Sequence, residues 1–589
     1  MNSSSRTERW GVWMLMTLTA AIYVGSAGIP ALLDDADSFY AEVAREMNQH
    51  HDWITPYANT LRYLEKPPLF YWLIQISYKL FGAMNAFTAR LPTALAVTAL
   101  VFVTYKIGSL LFGFRAGLFG GLALATSVGM FLFTRIILPD ALFTLVLSLL
   151  IYCFVRWERT EQKTGPLLWM YVFAGIAVMA KGLIGIVFPV GIIVLTLSAT
   201  GRWKEIARLV SFKGMLIFLA IAAPWHILIG WRNPGFFWFY FINEHLLRFL
   251  GKRYPMDYNT VPLVPFWLLH AVWLFPWSVW LLTLCWPPNL RRALAERRQA
   301  VVLLAAWALT ILAFFSFSSR LEYYTLPAFP ALALLAGAQF ESFQERGARW
   351  PGIALACGVG LLTGITLIVL AVFITSHNGG SFLHLKDNPE LYTFYLGHLF
   401  DLTPESLSAL RAPLLMAGLG VGVLLPLHHW FKRPETKAFV LSLGMAVFFA
   451  AASLALVAFA PRLTSQPLAA EVNRRFTDRS VIVIDGEYSE GCSLAFYARR
   501  TVLLHNGRAT TLEYGSRYPD APPLFLDDAG LQKLWRDPAQ RVFLLTFQAK
   551  QDKLNALIPE SKFTLASYGD KLLLSNRSDQ EQDSNHANR

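Results

Sequence analysis

The sequence predicts a polytopic α-helical membrane protein of about thirteen transmembrane helices followed by a small C-terminal soluble α/β domain. Three observations carry this reading. Hydrophobic residues fill 55% of 589 positions and the mean hydropathy is +0.42, more apolar surface than water can solvate. Apolar runs of roughly 18 to 25 residues, each able to cross ~30 Å of hydrocarbon, recur from 11–33 to 437–459. After Pro461 the composition becomes that of a soluble domain. The expected division is therefore a transmembrane domain over 1–460 that includes an outer loop at 34–85, an α/β domain over 461–577, and a disordered tail over 578–589.

The first span carries Ser26-Ala27-Gly28, which resembles a signal cleavage site, but its apolar stretch is too long for a signal and an uncleaved anchor is expected. Basic residues in short loops resist translocation and so set orientation. With the N-terminus inside, the cytoplasmic loops hold Arg156, Arg159 and Lys163; Arg202, Lys204 and Arg208; Arg291, Arg292, Arg297 and Arg298; and Lys432, Arg433 and Lys437. The net charge of +12 is then mostly topogenic, which argues against nucleic acid as a partner. The outer face receives 34 to about 85, turns near 135–140 and 180–182, a segment at 232–262, a turn at 318–325, a loop at 376–411, and everything after 460. Cys153, Cys285 and Cys357 fall inside apolar spans and only Cys492 in the tail, so neither a disulfide framework nor a cysteine metal site follows. Nothing in the sequence indicates an oligomer.

In the first outer loop Tyr40, Val43, Ala44 and Met47 repeat at helical spacing while Glu42, Arg45 and Glu46 take the other face, the pattern of a helix lying along the membrane surface. In the tail, Val481 to Asp485, Thr501 to His505, Leu524 to Asp527, Val542 to Phe547 and Lys571 to Ser575 read as strands alternating with polar helical stretches. No glycine-rich dinucleotide fingerprint and no Walker sequence accompanies them, so a nucleotide site is unsupported.

The unusual charges fall on the outer face. Asp34, Asp35 and Asp37 stand just beyond the first span. One of them, Asp37, fits the N-cap of the following helix, but three carboxylates exceed what capping needs, and their mutual repulsion suits general-base work or cation binding. Asp140 opens a transmembrane helix on the same side, where the helix dipole favours an anion. Glu65-Lys66-Pro67-Pro68 places two charges on a stiffened corner. Lys181, between Ala180 and Gly182, is a second outer-face cation; ordinary charge pairing explains either lysine, and together they suit a phosphate. Phe236 to Phe241 leads into Glu244-His245 and Arg248, where Glu244 and Arg248 are i,i+4 neighbours. A lone His245 reads as structural unless an acid meets it. Arg320-Leu321-Glu322-Tyr323-Tyr324 is a similar aromatic and charged turn, of the kind that also anchors helices at an interface.

Taken in order, these residues resemble the aminoarabinose lipid A transferases of the GT-C glycosyltransferase superfamily, kin to the protein O-mannosyltransferases. The resemblance rests on Tyr40-Ala41-Glu42 with Arg45-Glu46-Met47, Arg62-Tyr63 before Glu65-Lys66-Pro67, Lys181-Gly182, Glu244-His245 with Arg248-Phe249, and Tyr514-Gly515 with Tyr518-Pro519-Asp520-Ala521. It implies a transferase that takes a sugar from undecaprenyl phosphate outside the cytoplasmic membrane, with its active site and C-terminal domain on the periplasmic side of a bacterial inner membrane. It further implies an acidic pair of a first-loop Asp with Asp140, Lys66 on the carrier phosphate, and a zinc ion held by Glu65 and His245. Tyr63, Arg320, Tyr323 and Tyr324 are the expected contacts to substrate or lipid. The chain departs from the family at the first acid, where Ala36 and Asp37 stand in place of Asp-Glu, so either Asp35 or Asp37 takes that role. It departs again at 318–325, where Arg320 and Glu322 replace a lysine-containing sequence.

A site on the outer face has no access to cytosolic nucleotide sugars and needs a donor already carried across, which a polyprenyl-phosphate-linked sugar supplies; the acceptor would be an envelope lipid or glycan. The expected chemistry is displacement at the anomeric carbon, with Lys66, Lys181 or Arg248 stabilising the leaving phosphate and Asp35 or Asp37 orienting the acceptor. The rival is a transporter or flippase of lipid-linked sugar, which predicts working charges at both faces and near the bilayer midplane. A receptor with a ligand-binding tail is the third reading.

Overall fold

A computed structural model of the chain describes residues 3–255, 260–347, 351–376, 409–508 and 511–578. The loop expected at 376–411 and the tail expected at 578–589 lie, but for their edges, outside the described residues. The chain packs as two compact units. One is helical and comprises Met1–Ala27, Arg90–Arg135 and Pro139–Ala458; the other joins Gly28–Ala89 and Ile136–Leu138 to Phe459–Arg589.

Among the described residues, seven helices are long and apolar enough to cross a membrane, and eight if the bent pair Leu263–Trp273 and Ser278–Cys285, inclined at 117°, counts as one span. Phe114–Ala125, Ile184–Ala199 and Gly360–Val372 are shorter apolar helices. The chain is thus a multi-pass membrane protein. The run after Gly113 divides into Phe114–Ala125 and Val128–Phe133, and the run after Pro262 bends. Between helices the contacts use small residues: a Cβ on Gly337 would fall on the backbone of Gly120, so Phe329–Arg346 crosses Phe114–Ala125 with main chains touching. Asp140–Arg159 carries its acid in the first turn and Arg156 and Arg159 in the last, the arrangement the helix dipole favours. Thr164–Lys181 packs antiparallel on it and stops at Gly182, whose φ of 81° belongs to the left-handed region.

In the second unit, Tyr57–Ala58 (β1) and Leu61–Arg62 (β2) form a small antiparallel hairpin. The tail forms a six-stranded sheet from Ser480–Asp485 (β3), Leu503–His505 (β4), Phe525–Leu526 (β5), Arg541–Phe547 (β6), Phe563–Tyr568 (β7) and Lys571–Ser575 (β8), in the order β5-β4-β3-β6-β8-β7. β5, β4, β3 and β6 are parallel, while β8 and β7 add antiparallel at one edge. Central strands of a parallel sheet are buried on both faces, which is why β3 and β6 read as unbroken apolar runs. The helix Asp528–Arg536 begins where Asp527 Oδ1 accepts the Gly530 N–H at 2.7 Å, and it lays Leu531 and Trp535 on Val542, Leu544, Leu572 and Leu574.

The five strands expected from the sequence are all present. β7 is not among them: it is an edge strand with a register shift between Thr564 and Ala566 and no buried side chain, so it lacks a buried period. The helix expected along the first outer loop is Ala36–Gln49, but the structure corrects its setting. Its polar face does not meet water: Glu42 is 0% exposed and Arg45 and Glu46 are each 3% exposed. Arg45 grips Glu42 with two nitrogens, Nε at 2.6 Å, and Glu46 accepts the Thr60 N–H at 2.7 Å. Burial and the neighbouring Glu42 carboxylate push the Glu46 carboxyl up to about 8.

Candidate active site

The helical unit gathers charge where Asp140–Arg159 begins and Thr164–Lys181 ends. Asp140, 2% exposed, pairs directly with Lys181. The Lys181 ammonium also lies 5.0 Å from the Tyr324 ring centroid, so one cation is held by a carboxylate and an aromatic face. Gly182 follows, and a Cβ there would strike His245 Nε2 and come within 2.8 Å of the Tyr240 hydroxyl; only glycine lets the helix end reach the next segment.

That segment, Trp238–Leu247, is a π-helix, a form that recurs at functional sites. Its wide turn lets His245 Nδ1 donate to the Tyr240 carbonyl five residues earlier at 2.6 Å, which leaves Nε2 as the acceptor of the Leu183 N–H at 3.2 Å. Beside it, Glu244 takes Arg248 at 2.9 Å and Arg253 Nε at 2.6 Å. The cluster therefore sets Lys181, Arg248 and Arg253 against Asp140 and Glu244, a surplus of one positive charge. The Tyr240 hydroxyl is fully buried and has no hydrogen-bond partner among the described residues. Burial raises its pKa, so it stays a donor. A surplus cation and an unmet donor suit an anion with oxygen acceptors, such as a phosphate.

The turn after the span Pro287–Ser316 borders this cluster. Tyr323 and Tyr324 meet edge to face at 4.9 Å, and Tyr324 rests against Phe315 at 5.0 Å. Arg320 donates from Nε to the Val261 carbonyl at 2.7 Å and from Nη1 to the Ser316 carbonyl at 3.2 Å, while its own carbonyl accepts the Val261 N–H at 2.9 Å. Its guanidinium pins the turn in place.

In the second unit the three aspartates of the first loop have different employment. Asp34 pairs with Lys571, accepts the Ser465 hydroxyl at 2.8 Å and accepts the Ser493 N–H at 2.8 Å, which fixes the loop to the sheet domain. Asp37, 1% exposed, accepts the Leu33 N–H and the Ile137 N–H, each at 3.0 Å. The N-cap position expected for Asp37 belongs instead to Asp35, which adopts φ 68° and makes no side-chain cap bond. The chain turns one residue pair earlier than the sequence pattern suggested, leaving Asp37 in the first helical turn. Asp35 keeps access to water yet has protein mass around it, and that desolvation, with Asp34 alongside, pushes its carboxyl up to about 6. Glu65 is 6% exposed and receives the Tyr63 hydroxyl at 3.3 Å; Tyr63 in turn meets Phe39 edge to face at 4.9 Å. Lys66 is half-buried at the bend that follows.

A zinc ion would need several donors together. Among the described residues no group of three or more His, Cys, Asp or Glu is close enough to hold a metal, and the His245 Nε2 lone pair is engaged by a backbone N–H. Arg253 and Tyr240 escaped the sequence reading. The signal for Arg253 was Gly251, whose φ of 67° reverses the chain and returns the arginine to Glu244.

The family model for dolichyl-phosphate-mannose-protein mannosyltransferases matches residues 65–228. The undecaprenyl phosphate-α-4-amino-4-deoxy-L-arabinose arabinosyl transferase 1 of Pseudomonas fluorescens is 27% identical over 72% of this chain and 74% of its own length. The corresponding arabinosyl transferase of Aeromonas hydrophila is 32% identical over 57% of this chain and 62% of its own. Across other such relatives the chain spans as little as 59% of their length. Among solved structures, ArnT from Cupriavidus metallidurans bound to undecaprenyl phosphate superposes with a TM-score of 0.80 at 22% identity, over 96% of this chain and 98% of that one. The two chains therefore share a fold.

Proposed function

We propose that this chain, a GT-C protein of the aminoarabinose-transferase type, is a glycosyltransferase that moves a sugar from undecaprenyl phosphate to an envelope acceptor, with 4-amino-4-deoxy-arabinose as donor sugar and lipid A as acceptor. The observation that carries the reading is the buried Asp140–Lys181 pair set in a cluster with one surplus positive charge and the unpartnered Tyr240 hydroxyl. Relatives at 27% to 32% identity named as transferases of this sugar supply the substrate class.

An acceptor oxygen attacks the anomeric carbon as the bond from that carbon to the phosphate oxygen breaks, and the electron pair leaves on undecaprenyl phosphate. Charge accumulates on that phosphate, and Lys181, Arg248 and the Tyr240 hydroxyl stabilise it where it forms. Asp140 holds the Lys181 ammonium in position until the phosphate arrives. A lipid A phosphate acceptor is already ionised and needs no base, whereas a hydroxyl acceptor has a proton to pass to a carboxylate. Tyr323 and Tyr324 are the candidates for the lipid or sugar.

The site belongs on the periplasmic face of the inner membrane in this reading. The support is that Arg156 and Arg159 end the helix that Asp140 begins, so the topogenic cations and the cluster occupy opposite ends of one span. The test reconstitutes the full chain in liposomes with lipid A and labelled undecaprenyl-phosphate-linked 4-amino-4-deoxy-arabinose. Label recovered covalently on lipid A supports transfer; label that crosses the bilayer while still attached to its carrier identifies a flippase instead.

A further inference from the structure

Among the described residues Glu322 has no counterion; it is 5% exposed and opens the short helical turn Glu322–Ala328. The Thr325 hydroxyl bonds its backbone carbonyl at 2.9 Å and leaves the carboxyl untouched; only the residue's own N–H favours the charged form. The nearest cation in sequence, Arg320, is committed to the Val261 and Ser316 carbonyls. Burial consequently raises the Glu322 carboxyl above its ordinary value. A buried acid without a counterion is costly, and in a membrane protein such a group ordinarily serves a ligand.

Its location narrows the ligand. Glu322 is two residues from Tyr324, the ring under the Lys181 ammonium, and its turn packs on the helix that Asp140 begins. The turn is fixed at both ends, by Arg320 to Val261 and by the Trp307 indole N–H, which donates to the Pro327 carbonyl at 2.9 Å. One rigid region thus carries a positive surplus on Lys181, Arg248 and Arg253 and an unmatched acid on Glu322. A ligand complementary to both has an anionic end and a cationic end.

Resting on the transferase reading above, the geometry points to Glu322 as the specificity-determining residue that accepts the ammonium group of an amino sugar whose phosphate faces the Lys181 cluster. The ammonium supplies the missing counterion and keeps the carboxylate ionised. A neutral sugar of the same shape leaves the acid unpaired and binds less well.

The test measures binding of two donors to the full-length protein in detergent: undecaprenyl-phosphate-linked 4-amino-4-deoxy-arabinose and the arabinose counterpart with a hydroxyl in place of the amine. The wild type should bind the amine about ten- to a hundredfold more tightly, the range for a charge-assisted hydrogen bond. Glu322→Gln should bring that ratio close to one while affinity for the hydroxyl donor stays unchanged, and Glu322→Asp should retain most of the preference. An undiminished ratio in Glu322→Gln, equal loss of both donors, or no preference in the wild type overturns the assignment. Transfer is read separately: absence of transfer with the ratio intact removes the transferase reading and leaves Glu322 as the amine-binding residue.

Discussion

Two buried aspartate–lysine pairs invite comparison. Asp34–Lys571 in the loop-and-sheet unit and Asp140–Lys181 in the helical unit have the same chemistry and similar burial. Around Asp34 both carboxylate oxygens are taken, by Lys571, the Ser465 hydroxyl and the Ser493 N–H, and Lys571 is also close to the Ser465 hydroxyl at 3.3 Å. Each oxygen thus already has a partner among the described residues. Around Asp140–Lys181 stand an aromatic ring, two arginines sharing one glutamate, and a buried tyrosine hydroxyl with no partner among the described residues. Burial of a charge pair does not by itself mark a working site; the surplus of donors around it does.

The sharpest way to break the comparison is to remove each lysine. Lys181→Ala should lower transfer of labelled lipid-linked sugar by about 10²- to 10³-fold per folded molecule, the scale for losing a group that stabilises developing charge. Asp140→Asn combined with Lys181→Met, which removes both charges, should fold normally and remain inactive. Lys571→Ala should do the opposite: it strands Asp34 and costs about 3–5 kcal/mol of stability, read by denaturation in detergent, while transfer per folded molecule persists. Equal effects of the two lysine changes on transfer would erase the distinction.

Tyr240→Phe is a finer probe, because it deletes one hydroxyl and keeps the packing of the ring. It should cut transfer about tenfold without a change in stability, since no hydrogen bond within the described residues is lost. The smallest effect belongs to Asp35. Its carboxyl titrates near 6, above the value in an unfolded chain, so its contribution to stability is complete below the ordinary carboxylate range and is lost as pH rises through about 6. Asp35→Asn should flatten that stretch of the pH–stability curve.

The helices and most of the sheet were legible because burial imprints a period or an unbroken run on the sequence, as in Val481 to Asp485 and Asp140 to Arg159. The setting of Ala36–Gln49 was not: a polar helical face has the same spacing whether it meets water or, as with Glu42, Arg45 and Glu46, other buried groups. The candidate residues Asp140, Lys181, His245 and Arg248 stood out as charges at span ends. Their partners were harder to read, since Arg253 returns to Glu244 across the Gly251 reversal and the Lys181–Tyr324 contact spans more than a hundred positions. In the sequence Asp34 is indistinguishable from Asp35 and Asp37, and only the fold reveals that Lys571 claims it.

The widened coil at Trp238–Leu247 makes residue spacing in that stretch indivisible. Deleting one amino acid between Phe239 and Ile242, with the wide winding kept, would swing everything downstream by roughly the 100° that separates successive residues of an α-helix. His245 and Arg248 would then point elsewhere with their chemistry intact. An insertion or deletion there acts like a turned key rather than a lost tooth.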